Sequence, residues 1–270
     1  MPVVRIGVSG WKYPNWRGDF YPAGLRQSDE LAFLAQRMNS AELNSSFYSL
    51  KRPEEYAGWR DATPPDFRFA IKGGRYITHL KRLVDPGAGL ANFFASGPLA
   101  LTDRLGPFLW QLPESLHFDR ARLLAFLEQL PRTAAQASRL ARTCDRAIVP
   151  EPHALDLDLD MSLRHALEVR HESFRGCADM LREHGVALVL ADTAGRFPVF
   201  EEITADFAYV RLHGPSRLYH GTYRPDLIRT WAARVDEWLA RGLDVYVYFD
   251  NDADGAAPHD AMALAAAVGA

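Results

Sequence analysis

Short apolar segments recur along the chain, and several carry polar residues at every second position near the C-terminal end. Glu42 and Asn44 show this pattern first, and Arg211 and His213 show it again late in the sequence. Alternate residues of a β-strand lie on the same face of the sheet. Each segment of this kind therefore predicts a strand whose polar side chains gather at one end.

Eight segments have the length and the Val, Ile, Leu, Phe and Tyr content typical of strands. They are residues 3–9, 40–47, 67–72, 107–112, 165–170, 186–192, 207–213 and 244–250. Helical patterns lie between them, so the chain alternates strand and helix, as in folds with parallel strands and right-handed crossovers. Eight strands favour a closed TIM (β/α)8 barrel over an open doubly wound sheet, and we predict a single domain over residues 1–270.

The predicted helices have recognisable ends. Ser28 and Asp119 are candidate N-caps. Pro53 and Pro225 fit the first turn of a helix. Gly185 and Gly242 fit positions just after a helix.

Residues 133–163 interrupt the alternation with a helical pattern and then an acidic alternating stretch. We predict an insertion between strands four and five. Three arrangements remain open: the insertion packs on the flank of the barrel, contacts another subunit, or adds a short strand at 146–149.

Composition excludes some classes of protein. The chain has 270 residues, is 48% hydrophobic and carries a net charge of −3, which gives no overall attraction for nucleic acid or acidic membranes. Cys144 and Cys177 are too few for a disulfide framework. No leader-like segment precedes the first strand, and no apolar run reaches membrane-spanning length. We therefore expect a cytoplasmic protein without a membrane partner, and the oligomeric state stays open.

A barrel would gather the polar strand ends at one mouth, where TIM barrels keep their active sites. The predicted mouth carries Glu42, Asn44, Lys72, Gln111, Glu168, Arg170, Arg211, His213 and Asp250. Cationic side chains suit an anionic group of a substrate, and carboxylates with a histidine suit proton transfer. We predict catalytic roles for Glu42, Glu168, His213 and Asp250, and substrate binding by Asn44, Lys72, Gln111, Arg170 and Arg211.

Structural alternatives stand beside these roles. Glu42 could form a buried ion pair with Arg170 or Arg211, and Glu168 could be neutralised by Arg170 two residues later. Lys72, followed by two glycines, suits an anion site but could also form a Schiff base.

The connection after the first strand is rich in aromatic residues. Trp11 is the candidate to face the mouth and bind substrate, whereas Trp16 and Phe20 are expected to anchor the loop by burial. Tyr219 is predicted to contribute to the opposite wall of the site.

Several blocks in one order resemble a known family. They are IGVSGWKYPNWRGDFYP, AELNSSFYSL, FRFAIKGGRYITH, GPFLWQLPESLHFD, LEVRHESF, YVRLHGP with YHGTY, and VYFDND. They look like the YecE-like family, a domain of unknown function (DUF72), over nearly the whole chain. The resemblance implies a TIM barrel similar to those of endonuclease IV and xylose isomerase, and it implies no established reaction.

Barrels of that kind often hold divalent metal ions. Potential ligands here are Glu42, Glu168, His171, Asp192, His213 and Asp250. However, no HxH, HExxH or CxxC spacing occurs, and Lys72, Arg170 and Arg211 would repel a cation. We therefore predict no cofactor and keep a divalent metal as the alternative.

The first hypothesis is an enzyme, a hydrolase or an isomerase or lyase, acting on a phosphate-bearing small molecule or nucleotide-like substrate. The alternatives are a nucleic-acid-binding or DNA-repair protein, and a non-catalytic binding or scaffold protein. Under the first hypothesis, Arg211→Ala is expected to weaken anion binding without unfolding the barrel.

Overall fold

The computed structural model describes residues 1–153 and 161–270. Within them, nine parallel strands form one sheet in the order β6-β5-β4-β3-β2-β1-β9-β8-β7. The strands are β1 Val4–Ser9, β2 Ser40–Leu43, β3 Arg68–Lys72, β4 Leu105–Gln111, β5 His165–Glu168, β6 Val186–Leu188, β7 Leu190–Asp192, β8 Phe207–Leu212 and β9 Asp244–Phe249.

The two edge strands β6 and β7 are separated only by Val189 and together form the sixth predicted strand. The first half pairs with β5 and the second half with β8. The backbone N–H of Val189 donates to the carbonyl of Leu167. The sheet therefore closes through a strand with two partners, and the predicted TIM barrel is confirmed.

Helices alternate with the strands. The α-helices of the described residues are α1 Glu30–Ala35, α2 Ser45–Tyr48, α3 Pro53–Asp61, α4 Pro86–Ala95, α5 Arg120–Gln129, α6 Ala134–Ala141, α7 Ala178–Glu183, α8 Pro225–Ala240 and α9 Ala257–Val268. A π-helical turn spans Tyr76–Leu80, and 3-10 turns span Pro14–Trp16, Gln27–Asp29, Pro98–Arg104 and Glu172–Phe174. None of the helices in the described part combines the length and the apolar content needed to cross a bilayer.

Most of the predicted helix ends are confirmed. Asp119 accepts a hydrogen bond from the backbone N–H of Arg122 at 3.0 Å, and Pro53 and Pro225 begin α3 and α8. The N-cap predicted at Ser28 is wrong. Its hydroxyl donates to the Asp29 carboxylate, and the α-helix begins at Glu30 after a 3-10 turn.

The helix ends predicted by glycine are also found. Gly185 follows α7 with φ 57°, and Gly242 follows α8 with φ 84°. Both values lie in the left-handed region that glycine adopts without strain.

Two strands end two or more residues earlier than predicted. The second ends at Leu43, because Asn44 adopts helical dihedral angles (φ −90°, ψ −20°) and α2 starts at Ser45. The fifth ends at Glu168, so Arg170 lies in the following connection. Glu42 and Asn44 therefore do not share a strand face by parity. Asn44 nevertheless reaches the mouth, where its Nδ2 donates to Ser9 Oγ at 2.9 Å.

The predicted insertion leaves and rejoins the barrel at one place. Thr133 and Ser162 form an antiparallel bridge, and α6 packs against α4 on the flank of the barrel. The short strand at 146–149, one of the three arrangements left open, does not form. Asp145 instead caps a turn there, because its side chain accepts from Ala147 N at 2.8 Å and its carbonyl accepts from Val149 N at 2.8 Å. Part of the acidic stretch, 154–160, lies outside the described residues.

The interior of the barrel is packed asymmetrically. Small side chains such as Ala70 and Ala166 come from one side, and four aromatic rings come from β8 and β9. These rings are Phe207, Tyr209, Tyr246 and Tyr248. They form a floor beneath the polar mouth and leave space above it for the charged side chains.

Candidate active site at the carboxyl ends of the strands

Arg211 occupies the centre of the mouth and is fully buried. Its guanidinium makes a two-pronged contact with Glu42, Nε to Oε2 at 3.0 Å and Nη2 to Oε1 at 2.7 Å. Nη1 donates to Glu168 Oε2 at 2.7 Å, and Nη2 donates to Asp250 Oδ2 at 2.9 Å. Three carboxylates therefore share one cation, and the planar fork of arginine makes this possible.

Backbone hydrogen bonds continue one residue beyond several strands and hold this cluster in place. His213 N donates to Asp192 O, and Asp250 N donates to Leu212 O, both at 2.8 Å. Gly73 follows β3, where a Cβ would lie 2.3 Å from the Trp110 indole. Glycine at this position lets the strand carrying Lys72 approach β4 closely.

Two residues of the cluster were missed by sequence reasoning. Ser9 Oγ donates to Glu42 Oε1 and accepts from Arg211 Nη2 at 2.9 Å. Tyr209, on the interior face of β8, donates its hydroxyl to Glu42 Oε2 at 2.7 Å. Ser9 stands opposite Glu42 in the register of β1 and β2. Ser9 was therefore detectable as a polar residue ending the first strand.

Glu168 is shared by two arginines. Arg170 Nε donates to its Oε1 at 2.6 Å, while Arg211 holds the other oxygen. Burial alone would raise the pKa of Glu168, but the positive charges of Arg170 and Arg211 outweigh it and hold that pKa well below the usual range. Glu168 therefore stays ionised as a partner of the arginines, which makes it a weak proton acceptor at neutral pH.

His213 is buried beside Asp250. Its Nε2 accepts from Arg211 Nη1 at 3.2 Å, because a guanidinium can only donate. The other ring nitrogen, Nδ1, lies 2.9 Å from Asp250 Oδ2. Burial would raise the pKa of Asp250, yet Arg211 and His213 together keep it low. The Tyr219 ring covers His213 edge-on at 5.5 Å.

Lys72 reaches the mouth from the end of β3 and, unlike Arg211, contacts an aromatic ring. Its ammonium lies 4.5 Å from the centre of the Phe47 ring, and no carboxylate of the described residues lies within ion-pair distance of it. Burial, followed by the positive charge of Arg211, lowers the pKa of Lys72 to about 8. Glu42, Asp250 and Glu168 act on Lys72 only from a longer range, and their charges do not outweigh its burial.

Arg170 is the second cation of the mouth, and its charge acts on His79 together with that of Lys72. Its guanidinium stacks 4.7 Å above the Phe197 ring, and its side chain retains 11% exposure. Burial, and then the charges of Lys72 and Arg170, lower the pKa of His79 to about 4. After burial, the charges of Lys72 and Arg170 are the next largest contributions to this lowered pKa, so both arginine and lysine act electrostatically on His79.

Gln111 and Tyr219 complete this part of the mouth. Gln111 Nε2 lies 3.4 Å from His79 Nε2 and donates to the Leu112 carbonyl at 2.9 Å. Tyr219 adopts a positive φ of 67° and is 37% exposed. Burial raises the pKa of its hydroxyl, and the charge of Arg170 partly offsets that rise. The strained backbone holds this ring over the site.

Trp11 lies in a different layer. Its indole packs against Trp59 at 5.9 Å and Phe69 at 6.0 Å, in the apolar layer between barrel and helices. Trp16 and Phe20 are also buried, as expected for rings that anchor the loop. The structure therefore brings all the other predicted site residues to the mouth and places the Trp11 ring outside the charged cluster.

The carboxylates considered as metal ligands already have partners. Glu42, Glu168 and Asp250 surround the Arg211 guanidinium, whose charge occupies the position that a cation would need. Asp192 accepts from the Tyr223 hydroxyl at 2.9 Å, and His171 stacks on His117 at 3.9 Å. Among residues 1–153 and 161–270, no group of three or more His, Cys, Asp or Glu side chains is arranged to hold a metal ion. The residues present do not fit a divalent metal at the centre of the mouth.

Asp252 is a further buried carboxyl that sequence reasoning missed. It is 8% exposed, and its Oδ1 has no hydrogen-bond partner. Burial, and then the negative charge of Asp250, raise its pKa well above the usual range. Asp252 is therefore expected to carry a proton where an ordinary aspartate is ionised.

This protonation gives a prediction for Asp252→Asn. A raised pKa in the folded state means that stability falls as pH rises above the ordinary aspartate value, because the folded chain then holds a proton that the unfolded chain releases. Asparagine lacks this dependence, so the variant should become more stable relative to the wild type as pH rises from 4 to 7. Each unit of pKa difference corresponds to about 1.4 kcal/mol. Urea unfolding at several pH values measures the difference, and a gap independent of pH would show that Asp252 is ionised.

Comparisons with known proteins identify the family. The model of a family described as "Protein of unknown function DUF72" matches residues 5–270. The chain belongs to the DUF72 family. The resemblance derived from the sequence blocks is thereby confirmed, and the family description names no reaction.

A curated relative of this DUF72 protein matches about half of the chain. The UPF0759 protein YecE of Escherichia coli (strain K12) is 30% identical over 133 residues, which are 48% of this chain and 45% of the relative. The alignment thus spans less than half of that curated relative.

Solved structures of the family share the fold. A DUF72 family protein from Thermotoga maritima MSB8 matches with a TM-score of 0.77 and 26% identity, over 99% of this chain and 100% of that chain. Another, from Enterococcus faecalis V583, matches with a TM-score of 0.74 and 18% identity, over 99% of this chain and 96% of that one. The first supports both fold and family, and the second supports the fold.

Proposed function

We propose that this DUF72 protein is an enzyme acting on a small phosphate-bearing molecule, and that Lys72 and Arg170 bind the anionic group at the mouth. The observation that carries the proposal is the Lys72 ammonium, which faces the mouth without a carboxylate partner in the described part of the chain. A bound dianion would give Lys72 a direct partner, in addition to the more distant charges of Glu42, Asp250 and Glu168, and would accept from Lys72 and from the outer nitrogens of Arg170.

Arg211 has a different role in this proposal. Each of its nitrogens already donates to a carboxylate, and its side chain is fully buried. A substrate anion would have to displace one of three buried carboxylates to reach it. In this proposal Arg211 therefore holds Glu42, Glu168 and Asp250 in place, and Lys72 and Arg170 bind the substrate anion.

Lys72 also suits proton transfer. A general acid works best when its pKa lies near the working pH, and burial brings the pKa of Lys72 to about 8. A dianion bound beside it would favour the ammonium form, which can then donate a proton to a leaving group or to a developing oxyanion. Hydrolysis of a phosphate ester and isomerisation through an enolate both need such a donor.

A non-catalytic binding or scaffold protein is the second candidate. The paired cluster of Arg211 with three carboxylates favours it, because buried ion pairs can serve the fold alone. The nucleic-acid alternative receives less support, since the aromatic rings of the first loop are used in packing. Anion binding without turnover of any phosphate ester would favour the binding protein.

Sulfate binding tests the proposal, because sulfate remains a dianion between pH 6 and pH 10. Isothermal titration calorimetry should show affinity that is constant below about pH 8 and decreases above it, by up to about tenfold per pH unit, as Lys72 loses its proton. The sign follows from the binding of the anion to the ammonium form. Affinity that is flat across pH 7 to 10, or no binding at millimolar sulfate, would contradict the assignment to Lys72.

A further inference from the structure

An apolar cavity of about 260 Å³ opens beside the proposed anion site. It lies at the carboxyl end of the barrel, between the connections that follow β2 and β3. Its walls include Phe47, Tyr48, Tyr76 and Ile148, and Phe93 lies among its lining residues. The cavity is smaller than the roughly 300–1,000 Å³ of sites that take whole drug-sized ligands, so it suits one ring system.

The exposure of its wall residues is unusual for a packed connection. Tyr48 is 78% exposed, Tyr76 is 53% exposed and Ile148 is 57% exposed. Aromatic rings usually bury most of their apolar area, and neighbouring exposed rings commonly mark a surface that binds an apolar partner. The three side chains therefore present an unfilled apolar wall.

The cavity and the cationic mouth share the Phe47 ring as a common wall. The Phe47 ring lines the cavity, lies under the Lys72 ammonium at 4.5 Å and contacts the His79 ring edge-on at 5.0 Å. Arg75 also lines the cavity and adds positive charge near His79. A ligand with an apolar ring and a negative group a few ångströms away could fill both places together.

We infer that the cavity binds the aromatic ring of the substrate, and that the substrate class is an aromatic or nucleotide monophosphate. The ring would stack among Phe47, Tyr48 and Tyr76, and the phosphate would contact Lys72 and Arg170. This inference rests on the proposed function, because it uses the same anion site. Beyond that function, it predicts that the protein binds aromatic phosphates more tightly than aliphatic ones.

Calorimetry with three probes tests it: methyl phosphate, phenyl phosphate and adenosine 5′-monophosphate. We expect the two aromatic probes to bind at least about tenfold more tightly than methyl phosphate. Tyr48→Ala with Tyr76→Ala should remove that gain and leave the affinity for methyl phosphate unchanged. Tyr48→Phe, which keeps the ring, should preserve the gain.

Matched aliphatic variants provide a control. Ile148→Ala shortens a wall residue of the cavity and should reduce the gain, whereas Val3→Ala, at the opposite end of the barrel, should not. Equal affinities for methyl and phenyl phosphate would overturn the inference and leave the anion site standing. Failure of all three probes to bind would overturn both proposals. A gain that survives the double tyrosine variant would show that the ring binds elsewhere.

Discussion

Replacing Arg211 with methionine is expected to lower the free energy of unfolding by about 3–5 kcal/mol, the usual effect of breaking a buried ion pair by removing one partner. The substitution leaves Glu42, Glu168 and Asp250 buried around an uncharged side chain. Three negative charges then lie close together without their shared cation. Since domains are stable by only about 5–15 kcal/mol, a large share of molecules should unfold at moderate urea concentrations.

Urea unfolding followed by circular dichroism measures this effect. Arg26→Ala is the matched control, because Arg26 pairs with Asp29 on the surface with 80% of its side chain exposed. A surface pair of this kind contributes about 0–1 kcal/mol. Adding Glu42→Gln to Arg211→Met should restore part of the loss by removing one unpaired charge. A single variant as stable as the wild type would mean that the carboxylates take up protons at little energetic cost.

This expectation replaces the one drawn from the sequence, in which Arg211→Ala weakened anion binding and left the barrel folded. The pattern of residues placed Arg211 at a strand end near carboxylates. It did not reveal how many carboxylates would converge on one guanidinium. That number depends on the curvature of the closed sheet, which brings the carboxyl ends of β2, β5 and β9 close together above the floor of aromatic rings.

The sequence predicted the barrel well because the signal was repeated. Eight apolar segments, each followed by a helix, leave few topologies, and errors at single strand ends do not change the outcome. The same parity brought Glu42, Glu168, Arg211 and Asp250 together correctly, since residues at the carboxyl ends of parallel strands meet at one mouth.

Other features depended on the connections, where parity carries no information. Asn44 reaches the mouth from a helical conformation, and Trp11 turns into the outer layer against Trp59. The protonated Asp252 follows from its burial beside Asp250, which only the folded chain creates. The contact of Lys72 with Phe47 likewise requires α2 to fold back over β3.

Replacing Lys72 with methionine should weaken sulfate binding while making the protein more stable. Losing a charged hydrogen-bond donor costs about 1.5–3 kcal/mol of binding free energy, which increases the dissociation constant roughly 10- to 150-fold. The stability should change in the opposite direction. The pKa of Lys72 is lowered in the folded protein, so the buried ammonium opposes folding at pH 7, and that cost disappears as pH rises from about 8 to 10.5.

Two further variants make the result specific to this lysine. Lys72→Arg keeps a cation that does not titrate in this range, so it should bind sulfate without the loss of affinity above pH 8. Arg241→Met, at the end of α8 just before β9 begins, removes one positive charge at the opposite end of the barrel and should leave both binding and stability nearly unchanged. A methionine variant that is less stable and binds sulfate normally would assign Lys72 to the structure of the barrel. Weaker sulfate binding together with higher stability would show that Lys72 serves a ligand at the expense of stability.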